Sequence, residues 1–173
     1  MKASSNGPQK TTIVFPLDDN ERVLLGMKKR GFGAGWWNGF GGKLEAGETY
    51  KLGAIRETHE ECGLQIKSLQ LAARLLFYFD NNLDVVSAVY TSNSYSGDPV
   101  ETEEMRPEWF SVHGLPLEQM WGGDRYWAPS VLDRSNDAVL DFVVYFDKNQ
   151  NYLSSREAHE GELDSLFDWE PEK

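Results

Sequence analysis

Short runs of β-branched and aliphatic residues alternate with polar turns along most of this chain. Each run has the length and composition of a β-strand, and Asp, Asn and Gly residues separate neighbouring runs. Asn81-Asn82, for example, is predicted to be the turn between two strands of one hairpin. The predicted strands are residues 11–17, 22–28, 71–80, 84–93, 108–112, 139–146 and 151–156. The first two, around an Asp-Asp-Asn-Glu turn, are predicted to form a strand–turn–strand unit.

One stretch has the periodicity of a helix instead. Residues 49–62 place Leu52, Ile55 and His59 at i, i+3 and i+7, which predicts an amphipathic helix with these three side chains facing inward. Gly63 follows directly and is expected to end the helix. A second, short helix is predicted at 128–132, with Pro129 in its first turn.

Three glutamates, Glu57, Glu60 and Glu61, share the opposite face of the longer helix. Like charges at this spacing repel by about 0.2–0.5 kcal/mol per pair, and Arg56 is expected to neutralise only one of them. Most such runs are solvated helix faces. A bound Mg²⁺ ion would instead make the cluster favourable, because Mg²⁺ takes carboxylate oxygens and keeps substrate phosphate as a further ligand.

Composition favours one folded domain among the 173 residues, with 40% hydrophobic and 13% aromatic residues. The net charge of −11 disfavours binding to nucleic acid and to anionic membranes. The single cysteine, Cys62, excludes an intrachain disulfide. With no signal-peptide pattern or apolar run of membrane-spanning length, we expect a cytoplasmic location, with a mitochondrial or nuclear fraction left open. We also expect a monomer, although no sequence feature bears on the oligomeric state.

A glycine-rich stretch at residues 31–42 precedes the helix. Its glycine spacing does not fit the dinucleotide-binding fingerprint, and no strand-to-helix junction follows it. The stretch is better interpreted as a loop where the backbone approaches a ligand. Phe32 and Asn38 are candidate contacts, whereas Trp37 and Phe40 are as well explained by core packing.

From this loop to the end of the helix, the spacing of the polar residues resembles the Nudix box, G-x5-E-x7-R-E-U-x-E-E-x-G-U, where U is a bulky aliphatic residue. The matching positions are Gly42, Glu48, Arg56, Glu57, Glu60, Glu61, Gly63 and Leu64. One position departs from the pattern, because Thr58 stands where the family prefers Leu, Ile or Val. Thr is nearly isosteric with Val, so this departure concerns packing more than chemistry.

The resemblance to the Nudix hydrolases implies an α/β/α sandwich with a mixed sheet and a loop–helix–loop motif. It implies hydrolysis of a nucleoside diphosphate linked to another group, with Mg²⁺ as cofactor and Mn²⁺ as a substitute. The expected domain covers residues 11–157, between a disordered lead-in at 1–10 and a loosely held acidic C-terminal tail at 158–173.

The same resemblance implies roles for individual residues. Glu48 and Arg56 correspond to an ion pair that braces the loop and the helix. Glu104, on a later loop, corresponds to a glutamate that contacts metal or water, and Glu101 and Glu103 compete with it for that role. The implied metal-binding residues are Gly41 through its carbonyl, Glu57, Glu60, Glu61 and Glu104. Which glutamate is the general base stays open.

Outside the box, the segments VLLGMKKRGFGAG, EMRP and MW–D–YW resemble the animal MutT-type branch of the family, which hydrolyses oxidised purine nucleoside triphosphates such as 8-oxo-dGTP. The base and phosphate contacts implied by this resemblance are Thr12, Lys28, Phe32, Asn38, Phe77, Met105, Trp121 and Asp124. Lys43 is a further phosphate contact. Two departures stand out: Gly123 replaces the first of two adjacent aspartates, and Trp36 replaces an arginine. A lone Asp124 predicts narrower base tolerance, with the oxidised adenines most affected.

Three functions therefore remain open from the sequence. The first is a diphosphatase that releases pyrophosphate from oxidised purine nucleoside triphosphates and so cleans the nucleotide pool. The second keeps the chemistry but acts on ADP-ribose, a dinucleotide polyphosphate or an mRNA cap. The third is a catalytically silent domain that binds a nucleotide or a partner.

Overall fold

A computed structural model of the chain describes residues 7–135 and 137–167. In chain order the elements are β1 (Gln9–Pro16), β2 (Arg22–Lys28), β3 (Trp37–Asn38), α1 (Tyr50–Cys62), β4 (Gln65–Ile66), β5 (Gln70–Phe79), β6 (Asn82–Ser92), β7 (Tyr95–Ser96), β8 (Met105–Ser111), α2 (Asp124–Val131), β9 (Leu140–Phe146) and β10 (Tyr152–Glu157), with 3-10 turns at Leu117–Gln119 and Asp164–Leu166. No helix within the described residues is long and apolar enough to cross a bilayer.

The strands form one large mixed sheet and two small ones. The five-stranded sheet has the order β1-β6-β5-β9-β10. In it, β1 runs parallel to β6 and β5 runs parallel to β9, whereas β5/β6 and β9/β10 are antiparallel. The antiparallel sheets are β3-β2-β8 and β4-β7. The predicted mixed sheet is confirmed.

The two helices cover opposite faces of the five-stranded sheet. Successive residues of a strand point to opposite faces. In β1, Val14 therefore joins the apolar cluster that contains Tyr50 and Ala54 of α1, whereas Phe15 joins the cluster that contains Trp127 of α2. This places the sheet between two helical layers and confirms the predicted α/β/α sandwich.

The first predicted strand–turn–strand unit is present, but its two strands do not pair with each other as a ladder. β1 and β2 are both strands, but they belong to different sheets and share only an isolated bridge between Leu17 and Val23. The Asp18 carboxylate accepts hydrogen bonds from the backbone N–H groups of Asn20 and Arg22, both at 2.9 Å. The side chain therefore closes the turn without continuing the ladder, and β2 is free to pair with β8.

Both ends of α1 are where the sequence predicts them. The hydroxyl of Thr49 accepts a hydrogen bond from the backbone N–H of Leu52 at 3.2 Å, so Thr49 is the N-cap. Gly63 ends the helix in the left-handed conformation, with φ at 78°.

The predicted inward face of α1 is wrong, because Leu52 is 58% exposed and His59 is also exposed. The buried residues are Tyr50, Gly53, Ala54, Thr58, Glu61 and Cys62. Small residues are needed on this face since the helix lies close to the preceding loop. A Cβ added to Gly53 would lie 2.4 Å from a methyl carbon of Leu44. The close contact between α1 and the preceding loop therefore determines the orientation of the helix, rather than the spacing of its apolar residues.

Three further boundaries differ from the predictions. The second helix begins at Asp124 instead of Ala128, so Pro129 lies inside it. β1 begins at Gln9, which puts the last two residues of the expected lead-in into the sheet; residues 1–6 lie outside the described ranges. The expected tail is packed at least as far as Phe167, because Leu163 and Phe167 are buried in the cluster on the α1 side of the sheet; residues 168–173 are outside the described part.

Candidate active site

A cavity of about 290 Å³ opens between β1, the glycine-rich loop and the start of α2. Every residue that the sequence analysis assigned to the base lines it, as do the candidate ligand Gly41 and both lysines. These lining residues are Thr12, Lys28, Phe32, Asn38, Gly41, Lys43, Phe77, Met105, Trp121 and Asp124. Two other depressions, of about 310 and 580 Å³, lie beside Arg134 and include no residue of the glycine-rich loop or α1.

Stacked aromatic rings form one wall of the cavity. The ring of Phe32 stacks on that of Trp121 with 4.8 Å between centroids and 24° between planes. Trp36 stacks more distantly on the same indole at 6.4 Å, and Phe146 meets it edge-on at 6.0 Å. Phe32 is still 51% exposed. A planar ligand entering here would therefore find aromatic surface already oriented to stack on it.

Asp124 is the buried acid of this cavity. It begins α2, its backbone N–H donates to the carbonyl of Trp121 at 2.9 Å, and its side chain is almost fully buried. Burial raises the pKa of Asp124 to about 7, and the nearby N–H groups of Trp121 and Trp127 offset only part of that rise. The carboxyl can therefore both donate and accept a hydrogen bond near neutral pH, which suits a base edge with mixed donors and acceptors.

The glycine beside Asp124 leaves no room for a side chain. A Cβ added to Gly123 would lie 2.7 Å from a methyl carbon of Val144, closer than real Cβ contacts. A Cβ added to Gly122 would lie 2.7 Å from the Cβ of Tyr152. The backbone of this segment thus packs directly on β9 and β10.

Gly41 and Gly42 connect the cavity to α1. The backbone N–H of Gly41 donates to Oε2 of Glu61 at 2.9 Å. A Cβ on Gly41 would lie 2.0 Å from the carbonyl oxygen of Thr12, and one on Gly42 would lie 2.7 Å from the carboxylate of Glu57. Only glycine permits this approach, so the glutamates of α1 lie directly behind the cavity wall.

Arg56 holds together the acidic groups around α1. Its guanidinium donates two hydrogen bonds to Glu48, both at 2.9 Å, one to Glu57 at 2.8 Å and one to Glu60 at 3.3 Å. It also donates to the carbonyl of Lys43 at 3.1 Å. The expectation that Arg56 neutralises a single glutamate is therefore wrong. The paired Arg56 lowers the pKa of Glu48, and the fork between Glu48 and Arg56 ties the loop to the helix.

Glu61 is the most deeply buried of the three helix glutamates, at 2% exposure, whereas Glu60 is exposed. Burial raises the pKa of Glu61 to about 8, and the negative charges of Glu57 and Glu104 add to the rise. The N–H of Gly41 and the charge of Lys28 act in the opposite direction. Negative charge is therefore disfavoured here unless a cation arrives to balance it.

The carboxylates around the buried Glu61, with the backbone of Gly41 beside them, are the type of oxygen ligand that a hard divalent cation prefers. Within the described ranges, however, no three acidic, histidine or cysteine side chains converge closely enough to coordinate an ion as they stand. Arg56 holds Glu57, and Arg30 holds Glu104 at 2.8 Å. Binding an ion would require these two carboxylates to turn from their arginines towards Glu61.

The three glutamates of the later acidic loop that are candidates for a metal or water contact have different surroundings. Glu104 is close enough to raise the pKa of Glu61, whereas Glu101 binds Lys29 at 2.8 Å. The backbone carbonyl of Glu61 accepts a hydrogen bond from Thr102 at 2.9 Å, which fixes this loop against the end of α1. Glu103 is exposed. The geometry therefore favours Glu104 over its two neighbours.

Two smaller expectations concern single residues. The hydroxyl of Thr58 is buried and donates to the carbonyl of Ala54 at 2.7 Å, so the polar group that departs from the family pattern is satisfied within the helix. Trp37 and Phe40 are buried, at 4% and 0% exposure, and neither lines the cavity. The fold therefore supports core packing, rather than ligand contact, as the role of both residues.

Sequence reasoning missed several residues of the cavity wall, among them Phe79, Phe146 and Trp127. Phe79 and Phe146 are paired neighbours on β5 and β9, a contact that arises only when distant strands meet. Trp127 could have been predicted from the sequence. It lies three residues after Asp124, so a helix predicted to begin at Asp124 would have placed both on one face.

Comparison with known proteins agrees with this geometry. A NUDIX domain model matches residues 7–131. The oxidized purine nucleoside triphosphate hydrolase of Danio rerio is 44% identical over 126 residues, which are 72% of this chain and 78% of the relative. The protein of the same name from Mus musculus is 45% identical over 124 residues, covering 71% and 79%.

The fold has close counterparts among solved structures. The crystal structure of a MutT protein from Bacillus halodurans superposes with a TM-score of 0.74 at 28% identity, covering 86% of this chain and 97% of that one. The domain match spans the glycine-rich loop, α1 and all of α2, which are elements that contribute to the cavity and the acidic cluster. The chain belongs to the Nudix hydrolase family.

Proposed function

We propose that this chain is a Mg²⁺-dependent diphosphatase that converts oxidised purine nucleoside triphosphates, such as 8-oxo-dGTP, to the monophosphate and pyrophosphate. The observation that carries the proposal is the junction at Gly41. There a cavity with an aromatic wall and a buried acid meets the carboxylates of α1 across one glycine. The names of the zebrafish and mouse relatives support the same substrate class.

The cavity is suited to hold one purine base. Phe32 and Trp121 supply flat apolar surface, and Asp124 supplies a carboxyl for the hydrogen-bonding edge of the base. The side-chain amide of Asn38 donates to the carbonyl of Trp36 at 2.9 Å, which fixes its orientation in the wall. Because Gly123 excludes a second carboxylate, we propose that this cavity tolerates fewer oxidised bases than a two-acid site would.

The phosphate chain would extend from the cavity towards α1. Lys28 and Lys43 line this end and offer positive charge to phosphate oxygens. Mg²⁺, or Mn²⁺ in its place, would be held by Glu57, Glu60, Glu61 and Glu104 with the carbonyl of Gly41. When bound, it supplies charge neutralisation on the phosphate and orientation of the attacking water. A glutamate of this cluster takes the proton from that water, and the braced pair of Glu48 and Arg56 keeps the helix in register with the loop.

Product analysis distinguishes this function from its two alternatives. Purified protein would be incubated with 8-oxo-dGTP, dGTP, ADP-ribose and a dinucleotide polyphosphate, with and without Mg²⁺. The proposal predicts pyrophosphate from 8-oxo-dGTP in preference to dGTP, and only when Mg²⁺ is present. AMP from ADP-ribose as the main product would favour the second alternative, and no turnover of any compound would favour a binding domain.

A matched pair of variants tests the assignment on the later loop. Glu104→Gln should lower Mg²⁺-dependent turnover, because it removes one of the carboxylates proposed to hold the metal ion beside Glu61. Glu103→Gln changes the adjacent, exposed residue and should leave turnover unchanged. Equal effects of the two variants would contradict a specific role for Glu104.

A further inference from the structure

Trp127 has no part in the function proposed above, although it lines the same cavity. It lies on the face of α2 that carries Asp124, three residues later, and it is 2% exposed. Its ring also packs against Phe15 of β1 at 6.1 Å between centroids. Packing alone would explain an apolar ring at this position.

Packing does not explain the indole nitrogen. Nε1 of Trp127 is buried and makes no hydrogen bond to any residue that the structure describes. An indole N–H can only donate, and buried tryptophans usually find an acceptor for it. An unpaired buried donor at a cavity wall therefore points to an acceptor that comes into place when the cavity is filled.

The acceptor on which this N–H acts in the structure is the carboxyl of Asp124. The indole N–H lies near enough to favour the ionised form of this acid, although the two groups are not aligned as a hydrogen bond. The hydroxyl of Thr12, across the cavity, is likewise buried with no partner in the described chain. Besides Asp124, the charged side chains in the cavity wall are Lys28 and Lys43. The phenol of Tyr152, which packs behind Gly122, is hydrogen-bonded to Ser155.

We propose that Trp127 is a positioning residue for base selection in this cavity, an inference that rests on the proposed function. When a purine is bound, the indole N–H donates to one oxygen of Asp124, and the base meets the other oxygen alone. A single oxygen with a fixed orientation can hydrogen-bond to one position of the base edge, whereas a freely rotating carboxyl can hydrogen-bond to several. The N–H of Trp127 thus narrows the set of purines that Asp124 accepts.

The test removes the N–H and keeps the ring. In Trp127→Phe, the ratio of kcat/KM for 8-oxo-dGTP over 8-oxo-dATP should fall by about fivefold or more, through KM rather than kcat. Trp37→Phe is the matched control, because Trp37 is 4% exposed, packs edge-on against Phe110 at 4.7 Å and lies outside the cavity. An unchanged ratio in Trp127→Phe, or an equal fall in the control, would overturn the proposal.

A second readout does not depend on activity. The carboxyl ¹³C resonance of Asp124, titrated in the free protein, should have a higher pH midpoint in Trp127→Phe than in the wild type, since a donor that favours the ionised acid is lost. Should Trp127→Phe fail to fold, benzothienylalanine at position 127 keeps the bicyclic ring without the N–H. An identical midpoint in either folded variant would refute the contact. Failure to hydrolyse any oxidised purine nucleoside triphosphate would refute the proposed function. The titration would then still test the contact between the indole N–H of Trp127 and the carboxyl of Asp124.

Discussion

At the scale of single residues, the site depends on two deeply buried acids. Asp124 and Glu61 are both almost fully buried, and burial is the main cause of the raised pKa of each. Such residues reduce the stability of the folded chain in exchange for a function. Their residue types could be predicted from the box spacing and from the MW–D–YW resemblance. Their burial could not, because it depends on strands and loops far away in the sequence.

The raised pKa of Asp124 predicts a pH dependence of stability. Its pKa is about 7 in the folded chain against an ordinary value of 3.8. Between these values the unfolded chain has lost the proton and the folded chain retains it, so the free energy of unfolding should fall as pH rises, by up to about 1.4 kcal/mol per pH unit. Asp124→Asn should remove this part of the slope in urea titrations from about pH 4 to pH 7.

Asp98→Asn is the control for that titration, since Asp98 is exposed and lies outside the cavity. It should keep the wild-type slope. If Asp124→Asn also kept it, Asp124 would be ionised in the folded chain and the interpretation of its burial would fail.

Gly123 carries the second prediction at this scale. Gly123→Asp should not broaden base tolerance, because its Cβ would lie 2.7 Å from a methyl carbon of Val144. It should destabilise the chain by about 1–3 kcal/mol through overpacking, measured by urea denaturation. Gly114→Asp, where the nearest atom to an added Cβ is 3.8 Å away, should have little effect. A stable Gly123→Asp protein with increased turnover of 8-oxo-dATP would contradict this.

At the scale of elements, α1 and the preceding loop behave as one unit. The helix has a hydroxyl cap at Thr49 and a left-handed glycine at Gly63, and both ends follow from local rules that the sequence displays. Its orientation does not follow from them. Leu52 faces solvent because Gly53 and Ala54 approach the loop, and the fork from Arg56 to Glu48 holds that arrangement. Close backbone contact is therefore what brings Glu61 to Gly41.

The end of α1 can be tested by itself. Gly63→Ala should destabilise the chain by about 1–2 kcal/mol, because φ is 78° and the new Cβ would lie 2.9 Å from a methyl carbon of Val100. Gly114→Ala, an exposed glycine without either constraint, should differ from wild type by less than about 0.5 kcal/mol. The comparison is of urea midpoints, and equal midpoints for both variants would argue against strain at Gly63.

At the scale of the whole molecule, two helical layers on a mixed sheet place the cavity on one side of β1 and the acidic helix on the other. The order of strands could be predicted only in part. The β5/β6 and β9/β10 hairpins follow from short turns in the sequence, whereas the parallel pairs β1/β6 and β5/β9 join distant segments. Phe77 and Phe146 reach the cavity through such pairs. Resemblance to a family can indicate Phe77, but local pattern cannot.

The C-terminal segment belongs to this architecture. Leu163 is fully buried in the cluster with Tyr50 of α1, so Leu163→Ala should lower the free energy of unfolding by about 2–5 kcal/mol. Leu153→Ala, at a side chain that is 60% exposed, should change it by less than about 0.5 kcal/mol. A Leu163→Ala protein as stable as the Leu153→Ala protein would show that the segment is dispensable.

The central claim is that recognition lies in the cavity and cleavage lies at α1. Steady-state kinetics with 8-oxo-dGTP on two variants tests it most directly. Glu61→Gln should lower kcat by about 10²-fold or more with KM little changed, because it alters the carboxylate behind Gly41. Trp121→Ala should raise KM by about 10- to 100-fold with kcat largely retained, because it removes the stacking wall. Loss of turnover in Trp121→Ala at saturating substrate, or normal kcat in Glu61→Gln, would contradict the account.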